Sequence, residues 1–234
     1  ETGAALLRRA IAVRPSSATA HQWLGTRLVE MGEPEAGIAL LRRAAELDPR
    51  SLIVANNLAT MLSIAGRDAE AIAACTPALE YAPDSDLCNR VIGLSHLILG
   101  DRKRARPFLD RTAAVRGGGT DQQVAGLFDA LDGHSDRKEF ARRLLALPAR
   151  SWRDPGSGNL FSDSEIPVLL TLLGEPDLAL DYVERASGSS LIDLAWGVLM
   201  PSLDPIRCEP RFVAAVDRIK VVDYRATKLC VGKT

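Results

Sequence analysis

Apolar residues recur every three to four positions along most of this chain. In 21–31, HQWLGTRLVEM, and in 52–62, LIVANNLATML, they mark one face of a helix, and they do so again in 35–47, EAGIALLRRAAEL. The punctuation between these stretches is equally regular. Gly32 and Gly66 close two of the predicted helices, where a left-handed residue satisfies the last carbonyls. GEPEAG and GRDAEA read as tight turns, and Pro34 sits early in the following helix, where its missing donor does no harm. Asp48-Pro49 then stops that helix. The pattern is a helical hairpin, and it is written more than once.

The repeat has a fixed length. Leu6-Leu7-Arg8-Arg9-Ala10 returns as Leu40-Leu41-Arg42-Arg43-Ala44, an offset of 34. Gly32, Gly66 and Gly100 are each 34 apart, as are Pro15, Pro49 and Pro83, and Ala10, Ala44 and Ala78. Small residues share the spacing at Gly25, Ala59 and Gly93, where two helices of a pair can approach closely. Four agreeing columns identify a repeat array. No single hairpin buries its apolar face alone, so the units must stack into one continuous core.

A unit of this length and punctuation resembles the tetratricopeptide repeat (TPR). Its pattern maps onto Leu24-Gly25, Gly32, Gly37, Ala44 and Pro49, then onto Leu58-Ala59, Gly66, Ala71, Ala78 and Pro83. The third copy runs Ile92-Gly93, Gly100, Ala105 and Thr112, with Gly117 in place of proline. The helix at about 3–13 corresponds to the second helix of a repeat whose first helix is missing from this sequence. The aromatic residue usual early in the first helix is displaced by two positions to Trp23, which we expect to pack at a repeat junction. The implied fold is all-α, a right-handed α-solenoid of TPR hairpins with a non-repeat C-terminal helical cap.

Beyond residue 117 the period weakens. The expected organisation is TPR repeats over 1–117, a degenerate helix pair over 118–150 (helices at 120–132 and 136–147), a loop at 151–162, a TPR-like pair over 163–187 and the cap over 188–234. The later pair is marked by GEPDLALDYVERA, which parallels GEPEAGIALLRRA. In the cap, one helix is expected before Pro201 and another at about 209–220. With its terminal LDPIRCEPRF, the chain also resembles the C-terminal TPR region of bacterial CadC-like winged-helix regulators and related signalling proteins. That resemblance implies a sensory scaffold, periplasmic in the membrane-tethered members, with a cytoplasmic location as the alternative.

Composition narrows the function classes. A hydrophobic share of 47% can bury a core, and aromatics at 5% mean that core is built from small and aliphatic side chains. A net charge of −1 provides no global field to attract nucleic acid or a membrane surface. No phosphate loop, GxGxxG, HExxH or GxSxG is present, so no cofactor is implied and no enzyme is expected. RGGGT at 116–120 follows a helix and lacks the lysine of a phosphate cradle. The run holding Arg102, Lys103, Arg104 and Arg106 reads as a solvated face, as do Asp181 and Glu184, and His96 reads as a core or groove residue.

Four cysteines show no metal spacing, and three histidines are scattered, so no metal site is expected. Cys208 and Cys230 flank a short helix and could pair if the segment is extracytoplasmic. Cys75 and Cys88 are read as small buried hydrophobes.

The resemblance also implies where binding occurs. In TPR proteins the first helices of successive pairs line a concave groove that takes a protein or peptide segment. The corresponding positions here are Gln22, Thr26, Ile53, Asn56, Asn57, Thr60, Arg90 and Leu94. The two-carboxylate clamp for chaperone tails needs Lys, Asn, Asn, Lys and Arg, where this chain has Gln22, Thr26, Asn57, Leu87 and Val91, so such a tail is not the expected partner. Two other readings stay open: a small-molecule pocket near Trp152, Trp196 and the loop at 154–159, and a homodimerisation module.

Overall fold

The computed structural model describes residues 3–147, 160–187 and 192–219. Among these residues the regular elements are helical and there is no strand, as expected for the all-α class. The chain divides into two compact units, Glu1–Arg111 and Thr112–Thr234, and the division falls inside a helix.

The first unit holds α1 (Gly3–Val13), α2 (Ala18–Glu30), α3 (Pro34–Leu47), α4 (Leu52–Ile64), α5 (Asp68–Cys75), α6 (Ala78–Tyr81), α7 (Asp86–Ile98) and the first part of α8 (Arg102–Arg116). The 34-residue period is visible in the backbone. Ser17, Ser51 and Ser85, each 34 apart, are the N-caps of α2, α4 and α7. Their hydroxyls accept from the backbone N–H groups of Ala20, Val54 and Cys88 at 3.3, 3.3 and 3.4 Å. The same three helices end in the same way. Gly32, Gly66 and Gly100 adopt φ of 81°, 74° and 80°. The residue after each glycine then donates five positions back: Glu33 N–H to Leu28 O, Arg67 N–H to Leu62 O and Asp101 N–H to His96 O, each at 2.8 Å. This is the Schellman closure, open to glycine because it has no Cβ to clash in the left-handed region.

Within a pair, small residues set the helix separation. A Cβ at Gly37 would stand 2.5 Å from Gly25 O and 2.6 Å from Val29 Cγ2, so α2 and α3 touch backbone to backbone. The matching positions in the next pair are Ala59 and Ala71, both fully buried. In the third pair Gly93 lies against Leu109. Ile38, Leu41, Met61, Leu62 and Ile92 fill the core between the layers.

The second pair departs from the period. Its second helix breaks at Thr76-Pro77 into α5 and the four-residue α6, because proline lacks the N–H that would continue the ladder. At that break Cys75 is joined by a disulfide to Cys88 in the first turn of α7. The expectation that both would be free hydrophobes is therefore corrected. Each is buried, but their Cα atoms lie 5.3 Å apart, within the range a disulfide spans.

The second helices carry an ion-pair ladder on their outer face. Arg67 reaches Glu70 at 2.7 Å and Glu35 at 3.1 Å, Arg42 reaches Glu70 at 2.6 Å, and Arg43 reaches Glu46 at 2.7 Å. The paired arginines of LLRRA thus lie on a solvated surface, where each such contact is worth about 0–1 kcal/mol.

The second unit contains α9 (Thr120–Asp132), α10 (Arg137–Ala146), α11 (Ile166–Leu172), α12 (Pro176–Ala186), α13 (Ile192–Gly197), a 3-10 turn at Pro201–Leu203 and α14 (Pro210–Arg218). In the turn before α11, Ser162 N–H donates to Glu165 Oε2 at 2.7 Å. Gly174 (φ 84°) repeats the Schellman closure, with Glu175 N–H on Leu170 O at 3.0 Å. Asp163, wholly buried, accepts a short hydrogen bond from the Tyr182 hydroxyl, and Arg185 lies 5.2 Å over the Tyr182 ring. Burial pushes the Asp163 carboxyl above its ordinary range and, with that carboxylate beside it, raises the Tyr182 hydroxyl as well.

The C-terminal α14 covers α12. Phe212, Ala215 and Val216 are buried, and Arg211 reaches Glu184 and, at 2.8 Å, Asp181. Asp181 and Glu184 lie on a solvated face, as expected, and there they pair with the cation that the non-repeat element supplies. Arg218 adds a bond to Ser187 Oγ at 3.1 Å.

Candidate functional site

The first helices α2, α4 and α7 pack side by side in the first unit, with α3 and α5 behind them. The eight sequence-derived groove positions fall on this row, but they are not equally open. Ile53 is exposed, and Asn56, Asn57, Thr60 and Arg90 are partly exposed. Gln22, Thr26 and Leu94 are buried. The reason for the first two is that α2 packs against α1, α3 and α4 at once, so from Ala20 to Glu30 only Trp23 and Arg27 reach solvent. The open part of the row is centred on α4.

On α2 and α4, the hydroxyl oxygen of Thr26, a residue 3% exposed, and the buried amide oxygen of Asn56 have no hydrogen-bond partner among the described residues. The Asn56 amide nitrogen donates to Asn57 Oδ1 at 3.4 Å, so the Asn56 oxygen is turned away from that contact. Leaving such atoms unmatched costs about 1–3 kcal/mol each. Native chains accept that cost where a ligand or water completes the bond.

Trp23 also differs from expectation. It stands 51% exposed, next in sequence to the buried Gln22. Ile53 at 54% is the other large apolar side chain exposed on α2 or α4. The sequence signal for Trp23 was its displacement by two positions, which rotates it by about half a turn of helix relative to the usual buried aromatic.

Near α7, His96 stacks on Phe108 with ring centroids 5.9 Å apart, and partial burial lowers its basicity. Below the row, Ser63 donates to the buried Asp68 at 2.6 Å, and desolvation raises that carboxyl. Among the described residues no group of His, Cys, Asp and Glu could hold a metal ion. No described helix is long and apolar enough to cross a membrane. Cys208 is an exposed thiol and Cys230 lies outside the described residues, as do Trp152 and the loop at 154–159, while Trp196 is partly buried on α13.

No family model matches the chain, and no curated protein matches it. Solved structures do. PilW, described as a widely conserved type IV pilus biogenesis factor, is similar at a TM-score of 0.51 and 17% identity, covering 81% of this chain and 86% of its own. MamA gives a TM-score of 0.45 at 16% identity, over 77% and 82% of the two chains. Likeness at this identity speaks to the fold, and that fold is the TPR-type array of helical hairpins.

Proposed function

We propose that a chain with this fold is a non-catalytic protein-interaction module, and that it holds an extended or helical segment of a partner protein along α2, α4 and α7. The observation that carries the reading is the unmatched buried amide oxygen of Asn56 on α4, the open part of that row. A backbone N–H from a bound segment satisfies Asn56, and Asn57 beside it can donate to a backbone carbonyl whatever the sequence bound. Trp23 and Ile53 supply the apolar contacts. The centre of the row is uncharged, so affinity there comes from hydrogen bonds and apolar area and depends little on salt.

The finer role is a sensory scaffold in a bacterial signalling or transcription-regulatory protein. It rests on the likeness of the repeats and of LDPIRCEPRF to the repeat regions of winged-helix regulators. In that reading, occupancy of the row is passed to an effector domain outside this sequence.

The test is selection of peptides from a displayed library by the purified chain, followed by titration of the winners. The double variant Asn56→Ala, Asn57→Ala is expected to lose tenfold or more in affinity while melting within a few degrees of the parent. Peptides that bind both proteins equally well would refute the groove.

A further inference from the structure

We infer that the Cys75–Cys88 disulfide is a structural staple acquired in a thiol-oxidising compartment, and that it replaces the helix continuity which Pro77 removes from the second pair. Three observations lead there. The first is position: Cys75 is the last residue of α5, directly before the Thr76-Pro77 break, and Cys88 lies in the first turn of α7. The link therefore ties the second pair to the first helix of the third covalently, whereas the first and second pairs are joined by packing and exposed ion pairs.

The second is contrast. The second helix of the first pair, Pro34–Leu47, is continuous over 14 residues, and that of the third, Arg102–Arg116, over 15. The equivalent helix of the second pair is split into eight residues and four. A broken helix backs α7 with a shorter rigid surface. The cross-link lies at the break itself, where that support is missing.

The third is burial. Both cysteines are 0% exposed, so no thiol or disulfide reaches them in the folded unit. Oxidation must come before α7 docks, and reduction must wait for local opening. The chemistry is ordinary exchange. One cysteine thiolate attacks a disulfide on an oxidant protein of the thiol-disulfide exchange class, forming a mixed disulfide and releasing one oxidant thiol. The second cysteine thiolate displaces the other oxidant sulfur. The chain loses two electrons and two protons, and the oxidant leaves as a dithiol. A glutathione-reduced cytosol does not sustain such a bond, whereas a periplasm or other secretory space does.

The test uses the full chain directed to the bacterial periplasm. The protein is unfolded in guanidinium, alkylated with iodoacetamide without reductant, digested and weighed. A peptide linking residues 75 and 88 is expected, with neither cysteine alkylated. The oxidised chain should melt on the order of 10 °C above Cys75→Ala, Cys88→Ala, since a loop of this length restricts the unfolded state substantially. Should that variant fail to fold, the wild-type chain unfolded, reduced and refolded with reductant serves as the second comparison. Dithiothreitol should open the link at least tenfold more slowly in buffer than in guanidinium. Full alkylation of both cysteines in the exported chain overturns the inference, and so does equal melting of oxidised and sulfur-free forms. None of these readings involves a bound partner, so they test the staple independently of the groove.

Discussion

Replacing Gly37 by alanine isolates what holds a pair together. In an isolated helix the change is favourable by about 1 kcal/mol, because alanine restricts the unfolded chain and glycine does not. Here the new methyl meets Gly25 O at 2.5 Å, Val29 Cγ2 at 2.6 Å and Val29 N at 2.9 Å. The valine methyl can turn aside, but the backbone oxygen and nitrogen cannot move without carrying α2 with them. Reaching ordinary contact of about 3.5 Å requires the two helices to part by nearly 1 Å. A gap of that size forfeits about a quarter to a half of the dispersion between facing side chains, here those that Ile38 and Leu41 make with α2. Overpacking of this kind costs about 1–3 kcal/mol, so after the gain of about 1 kcal/mol in propensity the net expectation is a loss of roughly 1 kcal/mol. Guanidinium unfolding followed by circular dichroism gives the global midpoint, and hydrogen exchange on peptides from α2 and α3 shows whether the loss is local to that pair. The natural control is Ala71, which occupies the matching position and is fully buried. Ala71→Gly removes a methyl from an interface already spaced for one and should also destabilise. If Gly37→Ala raised the midpoint, the close approach of α2 and α3 would not be what fixes this pair.

Other consequences can be measured in the same way. Tyr182→Phe leaves the buried Asp163 without its hydroxyl donor and should lower the stability of the second unit by about 1–3 kcal/mol, read by exchange on α11 and α12 peptides. Asp68 is held above its ordinary range by burial, so the folded unit binds its proton more readily than the unfolded chain. Stability from this group is greatest at acid pH and falls as pH rises through the folded value. Asp68→Asn should remove that slope, and a slope unchanged in the variant would assign it elsewhere. His96 works in the opposite sense. Its lowered basicity means stability declines as pH drops below the unfolded histidine range, and His96→Gln should flatten that decline. Ser51→Ala removes one of three equivalent caps and should cost about 1 kcal/mol, with faster exchange confined to the start of α4.

Much of the fold was legible because it depends on backbone rules that repeat. Gly32, Gly66 and Gly100 announced three left-handed closures, and the small residues at Gly25, Ala59 and Gly93 announced close helix pairs. The serine column at 17, 51 and 85 is just as regular, but a cap leaves no mark on the apolar period. The disulfide was not legible. Cys75 ends α5 and Cys88 lies in the first turn of α7, and an apolar period marks both as buried without saying that two neighbouring side chains come within bonding distance. The candidate site was half legible. The resemblance placed Gln22, Thr26 and Asn56 on the first helices of their pairs. Burial depends on how many neighbours each helix has, and that decided which of them face solvent.

The identical closures at Gly32, Gly66 and Gly100 have a hereditary consequence. A gene that loses or duplicates the stretch between two of these glycines keeps a serine-capped start and a Schellman end on every remaining first helix. Chain length can therefore drift in steps of one pair without exposing a raw helix terminus. The cysteines respect the same joints. Removing 33–66 takes neither of them, and removing 67–100 takes both, so no such event strands a single sulfur in the core.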